Sequence, residues 1–339
     1  MINIGVVGVG GWGKNLARNY YQIPDANLKY ICDLDEKKLD QMANLYPGTK
    51  TTQDYNDLIN DPELQAVVIA TTAPHHYPLG KMALEAGKDV YIEKPLVLKT
   101  ADAEDLIRIA EENNQILMVG HLLEYHPVVN KLKEMIEDGE LGDIHYIYAQ
   151  RVNLGTVRED ENALWNFAPH DISVILYLLG MEPTDISARG QAYLQEGIED
   201  VVFFSMNFNG KSMAHVHVSW LDPHKVRKIT VVGSKKMAVF DDIESTEKLR
   251  IYDKGATHNT DYNSFAEYIN LRFGDITIPH INVGEPLRLE CNHFLESIRT
   301  RTQPHSDGLD GLRVVKVLDA AQRSLEQNGV PVNIKPGFL

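Results

Sequence analysis

INIGVVGVGGWGKNLARNYYQI, residues 2–23, decides the fold of the first part of this chain. The apolar run INIGVVG (2–8) reads as a buried strand, after which Leu16, Tyr20 and Ile23 recur at helical spacing. Between them lies Gly8-x-Gly10-x-x-Gly13. On its own such a motif is only a tight turn. Here a strand precedes it, a helix follows it, and Asp33 falls near the end of the next apolar run, LKYICDLD (28–35), 20 residues past Gly13. That context predicts a bound dinucleotide: the glycines admit the backbone to a pyrophosphate, whose charge rests on the helix N-terminus. Gly8, Gly10, Gly11, Trp12 and Gly13 are the residues expected around it, with Asp33 accepting from the adenosine ribose hydroxyls. Asp35 adds negative charge and no Lys or Arg follows Asp33 until Lys37. A 2′-phosphate is repelled there, so NAD is expected over NADP.

Downstream the alternation continues. A helix with Leu39, Met42 and Leu45 is followed by the strand AVVIAT (66–71), and a helix through Met82 to Ala86 stops at Gly87. The strand DVYIEKP (89–95), a helix capped by Thr100 and carrying Leu106 and Ile109, and the strand ILMVG (116–120) complete the series. Apolar strands separated by helices predict a doubly wound parallel sheet, a Rossmann domain over residues 1–121.

The pattern then changes, and residues 122–339 are read as a second domain. A helix near 128–138 leads to IHYIYAQRVNL (144–154), and a helical stretch spans 163–179. Between 185 and 253 about five strands follow without intervening helices, one hairpin being marked by Asn209-Gly210. This predicts a large, open, mostly antiparallel sheet with helices on one face. Two last helices, one with Leu287, Cys291, Phe294 and Ile298 and one from Leu312 to Leu325, are free to pack back on the first domain.

Composition narrows the function. A formal net charge of −15 argues against nucleic acid and against anionic membranes, both of which need a basic face. No apolar run reaches the length of a membrane span, and the glycine-broken N-terminus lacks the basic start of a signal peptide. The two cysteines, Cys32 and Cys291, stand in unlike contexts, so neither a disulfide nor a metal framework is expected and the expected compartment is the reducing cytoplasm.

Ala70-Thr71-Thr72-Ala73-Pro74-His75-His76, Glu93-Lys94-Pro95 and Gly120 stand in order at the ends of three strands. With the glycine motif, Gly284-Glu285-Pro286-Leu287 and Gly-Leu-Arg-Val-Val at 311–315, this resembles the glucose-fructose oxidoreductase/inositol dehydrogenase (Gfo/Idh/MocA) family over nearly the whole chain. The resemblance implies a Rossmann domain joined to a sheet-based domain that binds a sugar or polyol, and a homodimer or homotetramer built through that sheet. It adds Thr71, Thr72, His76 and Glu93 to the cofactor site. Arg151-Val-Asn153-Leu-Gly155, Trp165-Asn166 and Pro169-His170-Asp171-Ile172 resemble the branch acting on nucleotide sugars, notably UDP-N-acetylglucosamine 3-dehydrogenases. Inositol or polyol dehydrogenases, ketosugar reductases and a non-catalytic NAD-binding regulator are the alternatives.

The residues themselves support hydride transfer. Oxidising a secondary alcohol needs a group to take the hydroxyl proton and a donor to the forming carbonyl. Lys94, at the carboxyl end of a parallel strand, stands where ligands bind in such folds. His170, read as opening the helical run after Pro169, is expected to stay neutral beside a helix N-terminus and to be the second catalytic residue. Where the family usually has Asp, four residues before this histidine, this chain has Asn166, which cannot take a proton but can bind a hydroxyl. The substrate set is therefore Lys94, Arg151, Asn153, Arg158, Asn166 and His170, the arginines either holding a pyrophosphate or pairing with Glu159 and Glu161. His121 is open to a ligand contact or a structural role. His215 and His217 are read as sheet surface or oligomer contact, and Trp220 as core or interface.

Overall fold

The computed structural model describes residues 1–258 and 269–334. These form two compact units, residues 1–125 with 284–315, and residues 126–283 with 316–339.

The first unit holds a six-stranded parallel sheet: β1 (Ile2–Val7), β2 (Ala26–Cys32), β3 (Lys50–Thr52), β4 (Ala66–Ile69), β5 (Asp89–Glu93) and β6 (Leu117–Gly120). Their spatial order is β3-β2-β1-β4-β5-β6, which reverses direction between β1 and β4. The helices are α1 (Gly13–Gln22), α2 (Glu36–Leu45), α3 (Asn56–Ile59), α4 (His76–Glu85) and α5 (Thr100–Glu112). The central strands are buried on both faces, which is why they read as unbroken apolar runs. β3 escapes such a reading because its three residues, Lys-Thr-Thr, are edge positions without an apolar side chain. Asp35 caps α2, its side chain accepting from the backbone N–H of Lys37 and Lys38. Thr100 is not a cap: it is the first residue of α5, after Lys99.

The sequence division after residue 121 and the contact division after Tyr125 differ by one turn of 3-10 helix, Leu122–Tyr125. Two late helices complete this unit. On α8 (Pro286–Thr300), Leu287, Cys291, Phe294, Leu295 and Ile298 lie in one apolar cluster with Ile4, Val6, Leu16, Tyr20 and Leu39. Leu312 and Val315, from the first half of α9 (Gly308–Glu326), join a second cluster with Val67, Ile69, Ile92 and Leu106. Cys32 and Cys291 are both free thiols and buried.

The second unit begins with α6 (Pro127–Glu137) and contains α7 (Ala163–Leu179). Its sheet comprises β7 (Ile144–Val152), β8 (Asp185–Gln191), β9 (Val201–Phe208), β10 (Ser212–Ser219), β11 (Val226–Gly233), β12 (Met237–Asp241), β13 (Leu249–His258), β14 (Ile269–Thr277) and β15 (Val332–Asn333). The order is β14-β13-β12-β11-β7-β10-β9-β8-β15. Every neighbouring pair is antiparallel except β10 with β7, which are parallel. β14 and β15 went unread in the sequence, where β14 alternates poorly and β15 has two residues. Asn209 and Gly210, at φ 48° and 67°, make the left-handed turn between β9 and β10. Alternation along β9 and β10 buries Val202, Phe204, Met206, Ala214, Val216 and Val218 on one face. The other face carries Tyr146, Tyr148, Phe203 and Met213, each about two-fifths exposed. Among the described residues no helix is long and apolar enough to cross a membrane.

Candidate active site

In the first unit the site gathers at the carboxyl ends of β1, β4 and β5. Gly8 has φ +84°, and a Cβ there would stand 2.9 Å from the Ala70 carbonyl oxygen. A Cβ on Gly13 would sit 1.9 Å from the Gly8 carbonyl oxygen, so the turn closes only because residue 13 has none. Gly10 and Gly11 face open space, with no atom within 4 Å of a Cβ built on either. α1 starts at Gly13 with no acidic residue in its first turn and no side chain on its N-terminal amides. This is a cradle that fits a pyrophosphate.

Asp33 is fixed at the end of β2 by two backbone donors: Val9 N–H to Oδ2 at 2.8 Å and Asp35 N–H to Oδ1 at 2.9 Å. Each oxygen keeps a further lone pair for a ribose hydroxyl. The sequence leaves Asp33 without a cationic neighbour, but Lys38 Nζ reaches to 3.8 Å from Oδ1 because the first turn of α2 folds back over the strand end. Asp35 lies at 3.7 Å from the same ammonium. Two carboxylates against one ammonium leave the locale negative, which suits NAD.

Glu93 and Trp12 link the glycine loop to β5. The Trp12 indole N–H donates to Glu93 Oε1, the Tyr91 hydroxyl donates to the same atom at 3.1 Å, and the Lys94 backbone N–H donates to Oε2 at 3.2 Å. Burial raises the Glu93 carboxyl above its ordinary range against these donors. Glu93 thus orients the Lys94 turn, and the Lys94–Pro95 peptide is cis. His76, expected at the cofactor, is buried with both ring nitrogens on backbone carbonyls: Nδ1 at 2.8 Å from Pro95 O and Nε2 at 3.1 Å from Thr71 O. Thr71 and Thr72 form the turn after β4, half-buried and exposed respectively, with Thr71 directly beside Gly8.

His121 takes the structural alternative. It is buried, with Nδ1 2.6 Å from Asp310 Oδ2 and 3.4 Å from Glu124 Oε1. Burial opposes the charged ring, but the hydrogen bond to Asp310 and the nearby Glu124 carboxyl outweigh it and push His121 up to about 10. Desolvation lifts Glu124 and Glu290 well above the carboxylate range. The three donor atoms of His121, Glu124 and Asp310 lie within 4.8 Å of one another. The shortest contact among them, 2.6 Å, is a hydrogen bond, tighter than two ligands stand apart around an ion at about 2.0–2.2 Å.

In the second unit, α7 carries Asn166 and His170 one turn apart, on one face. The helix begins earlier than the reading of His170 requires. Asn162 is its N-cap, accepting from the Trp165 N–H at 3.2 Å, so Pro169 lies inside the helix and His170 is seven residues past its first position. The helix-terminus argument for a neutral His170 therefore falls. Asn166 donates through Nδ2 to Glu161 Oε1, a carboxylate that sequence reasoning assigned only as a partner for the arginines.

The arginines are engaged. Arg151 forms a two-point pair with Asp171, Nε to Oδ2 at 2.7 Å and Nη2 to Oδ1 at 3.0 Å, with both side chains buried. Asp171 points inward from the helix beside β7, so the pair ties Arg151 to α7. Arg158 is half-buried and holds Asp160 at 3.1 Å and Glu161 at 3.3 Å. Asn153 donates its backbone N–H to the Ser219 carbonyl, and its side chain lies over Gly155. Trp220 is buried and its indole N–H donates to Asp200. His215 and His217 are half-buried on β10, stacked with Phe203 at 6.3 and 4.2 Å, and burial lowers both.

Comparison with known proteins gives these features a family. The family model described as "Oxidoreductase family, NAD-binding Rossmann fold" matches residues 2–121, and "GFO/IDH/MocA C-terminal domain" matches residues 129–239. The chain is 26% identical to the myo-inositol 2-dehydrogenase of Thermotoga maritima, covering 96% of this chain and 97% of that one. It is also 26% identical to the UDP-N-acetylglucosamine 3-dehydrogenase of Acidithiobacillus ferrooxidans, covering 92% and 93%. A solved structure of the latter enzyme superposes with a TM-score of 0.81 at 25% identity, over 96% of this chain and 98% of that one. The chain belongs to the Gfo/Idh/MocA oxidoreductase family and is an NAD-binding oxidoreductase.

Proposed function

We propose that this protein oxidises a ring hydroxyl of a sugar, with C3 of a nucleotide sugar such as UDP-N-acetylglucosamine as the first choice. Bound NAD supplies the hydride acceptor. Lys94 Nζ, in its amine form, takes the hydroxyl proton, and Glu93 holds the turn that carries it through the Lys94 backbone N–H. On the second unit His170 is the other proton-handling group, and Asn166, one turn before it, binds a hydroxyl as donor or acceptor.

The observation that carries the choice of a nucleotide sugar is the contrast between two arginine pairs. Releasing Arg151 from its buried carboxylate is costly, roughly 3–5 kcal/mol if Asp171 is left unpaired. Arg158 is half-buried and its partner Asp160 is exposed, a pair worth about 0–1 kcal/mol, so a pyrophosphate displaces Asp160 at little cost. Arg158, and not Arg151, is the residue proposed to hold the diphosphate. The inositol reading is favoured by one observation, the equal identity to an inositol dehydrogenase over a longer match. The exposed aromatic face of β7, β9 and β10 supports assembly through this sheet into a homo-oligomer, and cytoplasmic placement is proposed from the two free thiols.

The test is NADH formation at raised pH, where proton release favours oxidation, across UDP-N-acetylglucosamine, free N-acetylglucosamine and myo-inositol. Turnover of the UDP-sugar alone, weakened by Arg158→Ala with unchanged NAD affinity, is expected. Turnover of myo-inositol without any nucleotide sugar replaces the substrate class, and NADH binding with no turnover anywhere favours the non-catalytic regulator.

A further inference from the structure

A closed circuit of contacts runs around the carboxyl ends of β1, β4 and β5 in the first unit. Gly8 abuts Thr71, a Cβ on it falling 3.0 Å from Thr71 Cγ2. The Thr71 carbonyl meets His76 Nε2, and His76 Nδ1 meets the Pro95 carbonyl. From Pro95 the chain steps back to Lys94 and Glu93, and Glu93 returns to the glycine loop through the Trp12 indole. His76 is the member that joins two loops by its side chain at both ends.

Its chemistry is asymmetric. Both partners are carbonyls, so each needs an N–H, and a neutral imidazole has one. Burial, the largest influence, disfavours the doubly protonated ring and outweighs the Pro95 and Thr71 carbonyls, which favour it. The shorter contact, 2.8 Å to Pro95, favours the proton on Nδ1, which leaves Nε2 unprotonated and without a donor to the Thr71 carbonyl 3.1 Å away. Without the Nδ1–H, the carbonyl that follows Lys94 loses its side-chain anchor.

We propose that His76 is a positioning residue: as the Nδ1–H tautomer it holds the Pro95 carbonyl and thereby sets where the Lys94 side chain stands in the cofactor crevice, rather than binding cofactor itself. This rests on the reading that Lys94 handles the substrate proton, yet it has its own readout.

Two near-isosteric substitutions separate the two bonds. In His76→Asn the side-chain amide nitrogen takes the place of Nδ1, whereas in His76→Gln it takes the place of Nε2. The lysines of the full-length protein are reductively methylated with ¹³C-formaldehyde, and the Lys94 resonance is assigned by its loss in Lys94→Arg. We expect His76→Asn to keep the wild-type Lys94 resonance and its shift on adding NADH. His76→Gln and His76→Leu should move that resonance toward those of exposed lysines, while NADH affinity by fluorescence changes by less than about threefold in all variants. Equal displacement in Asn and Gln, following the loss of melting temperature, overturns the proposal. So does retention in Gln with loss in Asn. An unmoved Lys94 resonance with NADH affinity reduced about tenfold or more makes His76 a cofactor ligand instead. If His76→Leu fails to fold, the Asn and Gln pair decides. Absence of sugar turnover in the wild type sinks the enzymatic reading and leaves this measurement standing.

Discussion

Arg151 and Asp171 stand 20 residues apart in the chain and meet through two nearly parallel hydrogen bonds, 2.7 and 3.0 Å, in a buried setting between β7 and α7. Geometry of this kind fixes both guanidinium and carboxylate in plane. Removing one partner leaves the other charge buried alone. Arg151→Met should destabilise the protein by about 3–5 kcal/mol in urea unfolding, and Arg151→Met with Asp171→Leu should recover much of it. A single variant within about 0.5 kcal/mol of wild type would show that Asp171 has another partner.

Asp33 sets the cofactor preference. Calorimetric titration should find NAD bound more tightly than NADP by at least about tenfold, roughly 1.4 kcal/mol. Asp33→Ser should narrow the gap, because it removes one charge and releases Lys38, now 3.8 Å from Oδ1, to meet a 2′-phosphate. Equal affinities in the wild type would sink the assignment.

Lys94→Met and His170→Ala should each lower kcat by about 10²–10⁴ on whichever sugar is turned over. NADH affinity, read by fluorescence, should stay close to wild type in both. Near-full turnover in both variants contradicts the proposed proton handling.

His121 gives a pH signature in stability. Its folded value, about 10, is raised above the ordinary histidine range by Asp310 and Glu124 despite burial. A raised value means that the stabilisation is fully present below about 6.5 and is lost as pH climbs through 10. The raised Glu124 pushes the same way, since a carboxyl kept protonated in the fold costs stability once solution pH favours its ionisation. Melting temperature should therefore fall from pH 6.5 to 10, and Asp310→Asn should flatten that slope by lowering His121. A slope unchanged by the substitution would assign it to other groups.

What the sequence reveals here follows how far each interaction reaches along the chain. Gly8, Gly13 and Asp33 are legible because strand, turn and helix are contiguous and each glycine answers a local steric demand. The alternation that buries Phe204 and Val216 is legible for the same reason. Lys38 beside Asp33 is missed because the turn into α2 brings together residues five apart that no periodicity pairs. His170 is misread because Pro169 looks like a helix start, whereas Asn162, capping the backbone at Trp165, had already opened the helix. The His121–Asp310 bond joins residues 189 apart, and nothing local marks it.

Late helices complete the first unit. A ribosome delivers all six strands of the parallel sheet by residue 120, yet one face of that sheet awaits Leu287, Cys291 and Phe294, and the other awaits Leu312 and Val315. The nascent Rossmann layer must therefore keep two apolar faces from sticking elsewhere until almost the whole chain has been translated. Truncation after residue 125 would leave those faces bare, so a fragment expressed on its own should bind a chaperone or precipitate sooner than it binds NAD.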